Sequence, residues 1–124
     1  MSMSFREELG GMDELLTEVY REFREGLSGR LMQMRTALET LAAGYEPEAT
    51  EIFYRTAHSL KGAAPSFGAD QLVGPAAELA EVGRRWYEGG FVETDELRGA
   101  FYDLEQLAEA VEAYVAEMEG GASG

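Results

Sequence analysis

The chain of 124 residues contains no cysteine, one histidine (His58) and one lysine (Lys61), and these shortages exclude several kinds of site. Without cysteine there is neither a disulfide nor a thiolate metal site, and a cytoplasmic location is expected because disulfides mark oxidising compartments. A single histidine excludes a multi-histidine metal centre. It also leaves Ser59 and Ser66 without a second histidine as base, so a hydrolase triad is not supported.

Positive charge is scarce as well, since ten Lys and Arg stand against twenty-four Asp and Glu and the formal net charge is −14. Nucleic acids and anionic membrane surfaces attract proteins through Lys and Arg, so we expect no nucleic-acid partner. No stretch approaches the roughly 18 apolar residues of a membrane span, so we expect no membrane insertion. The first residues also lack the apolar centre of a signal peptide.

Hydrophobic residues make up 45% of the chain and recur with helical spacing almost throughout. Four such segments joined by short turns predict an all-α fold, an antiparallel four-helix bundle. We expect the bundle over residues 12–119, a leader or short extra helical turn over 1–11, and a flexible tail over 120–124. The positions expected to face the core are Leu16, Tyr20, Phe23, Leu27, Leu31, Met34, Leu38, Leu41, Phe53, Thr56, Ala57, Leu60, Ala64, Phe67, Leu72, Ala76, Leu79, Val82, Trp86, Leu97, Phe101, Leu104, Ala108, Val111, Val115 and Met118.

Glycine and proline mark the ends of these segments. Pro65 cannot donate a hydrogen bond to the carbonyl of Lys61, so the second helix is expected to kink or end early there. Gly68 is a candidate terminator of that helix, and Gly89–Gly90 closes the third. The regular part of the third helix is expected to begin at Pro75, after an irregular turn.

On a helical wheel His58 lies nearly opposite the apolar sector of its own helix, so it is expected to point to solvent. Lys61, three residues on, is a neighbour on the same surface. Gly62 costs about 1 kcal/mol of helix stability relative to Ala, which demands a reason such as close approach by a partner.

Phosphoryl acceptance by His58 accounts for these three features together. A free imidazole has a pKa near 6.5, so one ring nitrogen offers a lone pair at neutral pH. A phosphoryl group on that nitrogen adds a charge of up to roughly −2 to an acidic protein, and Lys61 offsets it locally.

The run from His58 to Gly68, HSLKGAAPSFG, resembles the signature of histidine-containing phosphotransfer (HPt) domains. Its Ser-Phe-Gly ending is similar to the N-terminal phosphotransfer domain of chemotaxis histidine kinases. The resemblance implies a four-helix bundle in which His58 takes a phosphoryl group from a histidine kinase or a receiver domain and passes it to a receiver aspartate. It implies a phosphocarrier without kinase activity of its own, with Mg²⁺ supplied by the partner and no cofactor or metal bound by this chain.

By the same resemblance, Lys61 steadies the phosphoryl group and Gly62 permits docking. On the helical wheel Arg55 and Pro65 flank the histidine on the outer side, and they are further candidates for docking. Arg84 is either a second phosphoryl-stabilising cation or an ordinary surface charge.

The chain departs from the family pattern at Ala80, twenty-two residues after the histidine, where many members have a Gln or Glu that bonds the imidazole. Either Glu81, Arg84 or water orients the ring instead, or its reactivity differs. Pro65 is a second departure.

Two rival functions follow from other readings of the residues. The first rival is a helical adaptor that binds a receiver or another signalling protein without being phosphorylated. The two departures from the family pattern, Ala80 and Pro65, are the reason for retaining it. A metal-binding bundle is the more remote rival, because the Glu-rich stretches have the spacing of solvated helix faces and no inward Glu-x-x-His motif is present.

Overall fold

A computed structural model describes the backbone of residues 5–123 and the side-chain surroundings of residues 14–119. The described backbone is helical with no strand, which confirms the all-α prediction. Two short 3₁₀ helices, Ala64–Phe67 and Asp70–Leu72, connect the second α-helix to the third. The four α-helices are α1 (Phe5–Ala43), α2 (Pro47–Ala63), α3 (Val73–Gly89) and α4 (Thr94–Ser123).

The helices form the predicted antiparallel bundle. α1 packs against α2 and α4, α3 packs against the same two helices, and the contact between α2 and α3 is the most extensive. The antiparallel direction shows in the residues that meet. Phe67, just after α2, stacks on Phe23 of α1 with ring centroids 4.2 Å apart, whereas Ala49 at the start of α2 borders Ala37 further along α1. None of the helices, within the described residues, has an apolar stretch long enough to cross a membrane.

The core is built largely from the predicted apolar positions, with Phe53, Leu60, Leu79 and Trp86 at most 1% exposed. Leu16 is an exception, since 53% of its surface is exposed. α1 has 39 residues, whereas α2 and α4, the helices it packs against, have 17 and 30. At a rise of about 1.5 Å per residue, α1 therefore extends well beyond α2, and Leu16 lies one turn before Tyr20, which contacts Phe67 after the end of α2.

The helix ends follow the predicted glycine and proline positions closely. α2 ends at Ala63, two residues before Pro65, and the chain tightens into a 3₁₀ turn that Gly68 closes with a φ of 67°. Gly90, with a φ of 79°, likewise follows the end of α3. The start of α3 was predicted wrongly, because the helix begins at Val73 and contains Pro75 as its third residue. The first turn of a helix tolerates proline, since its backbone N–H groups have no acceptor within the helix.

Tyr114 of α4 holds the turn that follows α2. Its hydroxyl donates a hydrogen bond of 2.7 Å to the backbone carbonyl of Phe67. Burial raises the pKa of the Tyr114 hydroxyl above its ordinary value, with a further contribution from Tyr20. The hydrogen bond satisfies a carbonyl that the break at Pro65 would otherwise leave without a partner.

Both ends of the chain carry more helix than the sequence predicts. α1 runs without a break from Phe5, so the segment expected as a separate leader or short turn is continuous with the first bundle helix from residue 5 onward. α4 reaches Ser123 and takes in most of the segment expected as a tail. Both helices continue through a pair of glycines, although glycine is a weak helix former. Residues 1–4 and 124 lie outside the described residues, and the flexibility of residues 120–124 stays a prediction.

Candidate functional site

His58 and Lys61 lie in the last two turns of α2, and both side chains are exposed. Ala57 and Leu60, the residues just before each of them, are completely buried. The predicted outward placement of the histidine is therefore confirmed, and its cause is the one expected. The opposite face of α2 is already used for the core, which leaves the imidazole on the surface of the bundle.

The imidazole of His58 contacts the ring of Tyr54, one turn earlier on α2. The two ring centroids are 5.8 Å apart and the planes are tilted by 44°. Among the described residues, no side chain hydrogen-bonds to the imidazole or forms an ion pair with it. Ala80 of α3 is buried and offers no polar side-chain atom. The ring of Tyr54 is thus the neighbour that the described structure gives to the histidine.

Arg84 and Glu81, two residues considered for orienting the histidine, are paired with each other on α3. Arg84 donates hydrogen bonds to Glu81 at 2.5 Å and to Glu88 at 2.8 Å. The hydrogen bond from Arg84 is the main cause that lowers the pKa of Glu81, and the same pair raises the pKa of Arg84. Neither side chain forms a hydrogen bond or an ion pair with the imidazole, so neither orients the ring in that way.

Lys61 differs from the neighbouring arginines in having no salt bridge within the described residues. Arg55 pairs with Glu51 at 2.9 Å, on the preceding turn of α2. The ammonium of Lys61 acts at longer range and contributes a small lowering of the pKa of Glu81. Of the three predicted site cations, Lys61 is therefore the one whose charge is not already matched by a carboxylate in contact.

Gly62 and Pro65, the predicted docking residues beside the histidine, are both exposed. A methyl group on Gly62 would meet no described atom within 4 Å beyond its chain neighbours and the backbone of its own helix. Packing inside the domain therefore does not require a glycine at this helical position. Pro65 lies in the 3₁₀ turn Ala64–Phe67 and gives the surface beyond Lys61 a shape that differs from a continued α-helix.

Three residues of this region were missed by sequence reasoning. Tyr54 could have been found, because it precedes His58 by four residues and such pairs are neighbours on a helix. Tyr87 of α3 stacks on Tyr54 with centroids 6.3 Å apart. Gly83 brings α3 close to α2, since a Cβ there would lie 3.0 Å from the Cα of Tyr54. The last two depend on how the helices dock, which local spacing does not reveal.

Carboxylates are abundant on this surface, yet within the residues that the structure describes no group of three or more His, Asp or Glu side chains is arranged to hold a metal ion.

The model of the Hpt domain family matches residues 18–117, a range that contains His58, all of α2 and α3, and most of α1 and α4. The chain belongs to the Hpt domain family. Hpt domains are the histidine phosphotransfer modules of phosphorelays, in which they act with kinases and receiver domains and generally carry phosphoryl groups without catalytic activity. Neither a search of curated proteins nor a search of solved structures gave a match.

Proposed function

We propose that this Hpt domain accepts a phosphoryl group on His58 and transfers it to or from the aspartate of a receiver domain. The observation that carries the proposal is the exposed imidazole one turn from a lysine that has no salt bridge among the described residues. His58 is also the sole histidine of the chain, so it is the one residue available for this chemistry.

The electrostatics around His58 explain why Lys61 is needed. The chain has a net charge of −14, and the C-terminal end of α2, where Lys61 lies, carries the negative end of the helix dipole. A phosphoryl group adds up to roughly two further negative charges. Lys61 supplies the opposing charge, and Arg84 would join it only by leaving Glu81 and Glu88. We propose Lys61 as the principal stabilising cation and Arg84 as the secondary one.

The transfer consists of two displacements at phosphorus. In the first, the unprotonated ring nitrogen of His58 forms an N–P bond while the bond from phosphorus to the donor oxygen breaks, and that oxygen leaves with the electron pair. In the second, a carboxylate oxygen of the receiver aspartate forms an O–P bond while the N–P bond breaks. The electron pair then returns to the imidazole nitrogen, so the domain ends the cycle unchanged.

The partner supplies the remaining groups in this proposal. Mg²⁺ and the residues that hold it belong to the kinase or receiver, and the domain has no kinase activity of its own. Gly62 supports this division, because the open space above it is room that a second protein can enter beside His58. Arg55 and Pro65 border the same surface and are proposed to contact the partner. We also propose a cytoplasmic location, where kinases have access to ATP.

The experiment is a transfer assay. The domain is incubated with a receiver domain phosphorylated by radiolabelled acetyl phosphate, or with a histidine kinase and radiolabelled ATP, and label on the domain is tested for stability in acid and base. We expect an acid-labile, base-stable label that disappears in the variant His58→Gln. Ser59→Ala is the matched control, since Ser59 is an exposed neighbour whose hydroxyl accepts a hydrogen bond from Arg30, and it should retain the label.

Two outcomes count against the proposal. Label that persists in His58→Gln would show that another residue is the acceptor. An unlabelled wild-type domain, under conditions that label a control Hpt domain with the same donors, would favour the adaptor that binds without being phosphorylated.

A further inference from the structure

We infer that Tyr54 is a positioning residue for His58, holding the imidazole by ring packing in the orientation from which it accepts and releases the phosphoryl group. The inference rests on the proposed function and adds to it a residue to which neither the sequence motif nor the family match gives a role. The transfer reaction imposes a geometric requirement on the histidine. A nucleophilic nitrogen must present its lone pair to phosphorus, and misplacement by about 1 Å can cost as much as two orders of magnitude in rate.

An exposed histidine does not meet this need unaided, because its side chain rotates about two bonds and ordering it costs free energy. Hydrogen bonds commonly supply the order, yet no described residue donates to or accepts from the imidazole. Ala80 has no polar side chain, and Arg84 holds Glu81. The contact that is present is the ring of Tyr54, 5.8 Å away between centroids.

Tyr54 can position another ring because it is itself held. The phenol stacks on Tyr87 of α3 at 6.3 Å, with the two planes only 22° apart. Its backbone lies against Gly83, where a Cβ would come within 3.0 Å of the Cα of Tyr54 and 3.1 Å of its Cβ. Tyr54 is thus held by the ring of Tyr87 and by the close approach of the two helices at Gly83. Its own ring in turn packs against the imidazole of His58.

The ring of Tyr54, and not its hydroxyl, makes these contacts. No hydrogen bond of the Tyr54 hydroxyl occurs among the described residues. Packing between aromatic rings is favourable beyond the burial of their area and has preferred geometries. Phenylalanine should therefore replace tyrosine here at little cost, whereas alanine should release the imidazole.

The test measures transfer from a phosphorylated receiver to the wild-type domain and to Tyr54→Ala, Tyr54→Phe and the control Tyr102→Ala, which truncates a tyrosine of α4 that is 62% exposed. At saturating receiver we expect Tyr54→Ala to lower the maximal rate about tenfold, while the half-saturating receiver concentration changes by less than about twofold. Tyr54→Phe and Tyr102→Ala should stay within about twofold of wild type in both quantities. Thermal unfolding of each variant verifies that the fold is intact.

A readout on the imidazole itself separates positioning from general stability. The ring protons of His58 should show contacts to the ring of Tyr54 in the NMR spectrum of the wild-type domain, and their chemical shifts should move in Tyr54→Ala but not in Tyr102→Ala. If Tyr54→Ala does not fold, Tyr54→Leu and these wild-type contacts test the same inference.

The inference is overturned if Tyr54→Ala leaves the maximal rate unchanged, or if it raises only the half-saturating concentration, which would make Tyr54 a docking residue. Absence of NMR contacts between the two rings would also overturn it. In all three cases a labelled wild-type domain leaves the proposed function standing. A wild-type domain that takes no label overturns the proposed function itself.

Discussion

Helix α2 packs tightly against α3, on its tight side, and loosely against α1, on its loose side. One glycine on each of these neighbouring helices shows the difference. Gly83 of α3 approaches so closely that a Cβ would lie 2.9 Å from the side chain of Phe53 and 3.0 Å from the backbone of Tyr54. Gly29 of α1 borders a groove of about 490 Å³ that Ala49 and Ile52 of α2 also line, and a Cβ there would meet nothing within 4 Å.

The imidazole of His58, the proposed phosphoryl acceptor, lies on the tight side of α2. Tyr54 contacts both His58 and the α3 residue Tyr87, whereas the α1 side of α2 carries polar contacts such as the hydrogen bond from Arg30 to Ser59. Close packing leaves few alternative arrangements, so a group that must be held in one orientation benefits from it. The looser side carries no such requirement, and substitutions there should have smaller effects on transfer.

The largest expected effect comes from adding a methyl group at Gly83, where α3 lies close against α2. The variant Gly83→Ala forces α2 and α3 apart, because the new methyl group would collide with backbone as well as side-chain atoms. We expect the free energy of unfolding to fall by about 1–3 kcal/mol, as for other overpacked cores. Urea unfolding followed by circular dichroism measures the change. A value within about 0.5 kcal/mol of wild type, the range of ordinary surface substitutions, would show that the helices do not depend on this approach.

Lys61 of α2 and Arg84 of α3 should differ in their effect on transfer. Lys61→Ala should slow transfer about tenfold, equivalent to about 1.4 kcal/mol, because its unpaired charge is lost from beside the phosphoryl group. Arg84→Ala should have a smaller effect, about twofold, because the guanidinium is already bound by Glu81 and Glu88. Rapid-quench measurement of transfer from a phosphorylated receiver compares the two variants. The reverse order would show that Arg84 leaves its carboxylates to stabilise the phosphoryl group.

Much of the site could be predicted from the sequence because it depends on one helix. The apolar sector of α2 places His58 outward, and the missing N–H of Pro65 ends the helix at Ala63. The pairing of Arg84 with Glu81 and Glu88 was also within reach, since the spacings of three and four residues are those of helical ion pairs.

What could not be predicted depends on contacts between helices. The exposure of Leu16 follows from the unequal lengths of α1 and its neighbours, which the periodicity of α1 alone does not contain. The role of Gly83 follows from the separation of α2 and α3. In a sequence pattern this glycine cannot be distinguished from Gly29, which has open space around it.

The smallest expected effect comes from the loose side, where Gly29→Ala should stabilise the domain by about 0.5–1 kcal/mol, because alanine restricts the unfolded chain and no atom obstructs the new methyl group. The rate of phosphotransfer should not change. Gly62→Ala is the matched variant, since its methyl group also meets nothing within 4 Å and its effect on stability should have the same sign. It should nevertheless raise the half-saturating receiver concentration, because the partner needs that space. Equal transfer by both variants would show that the glycine beside His58 does not serve docking.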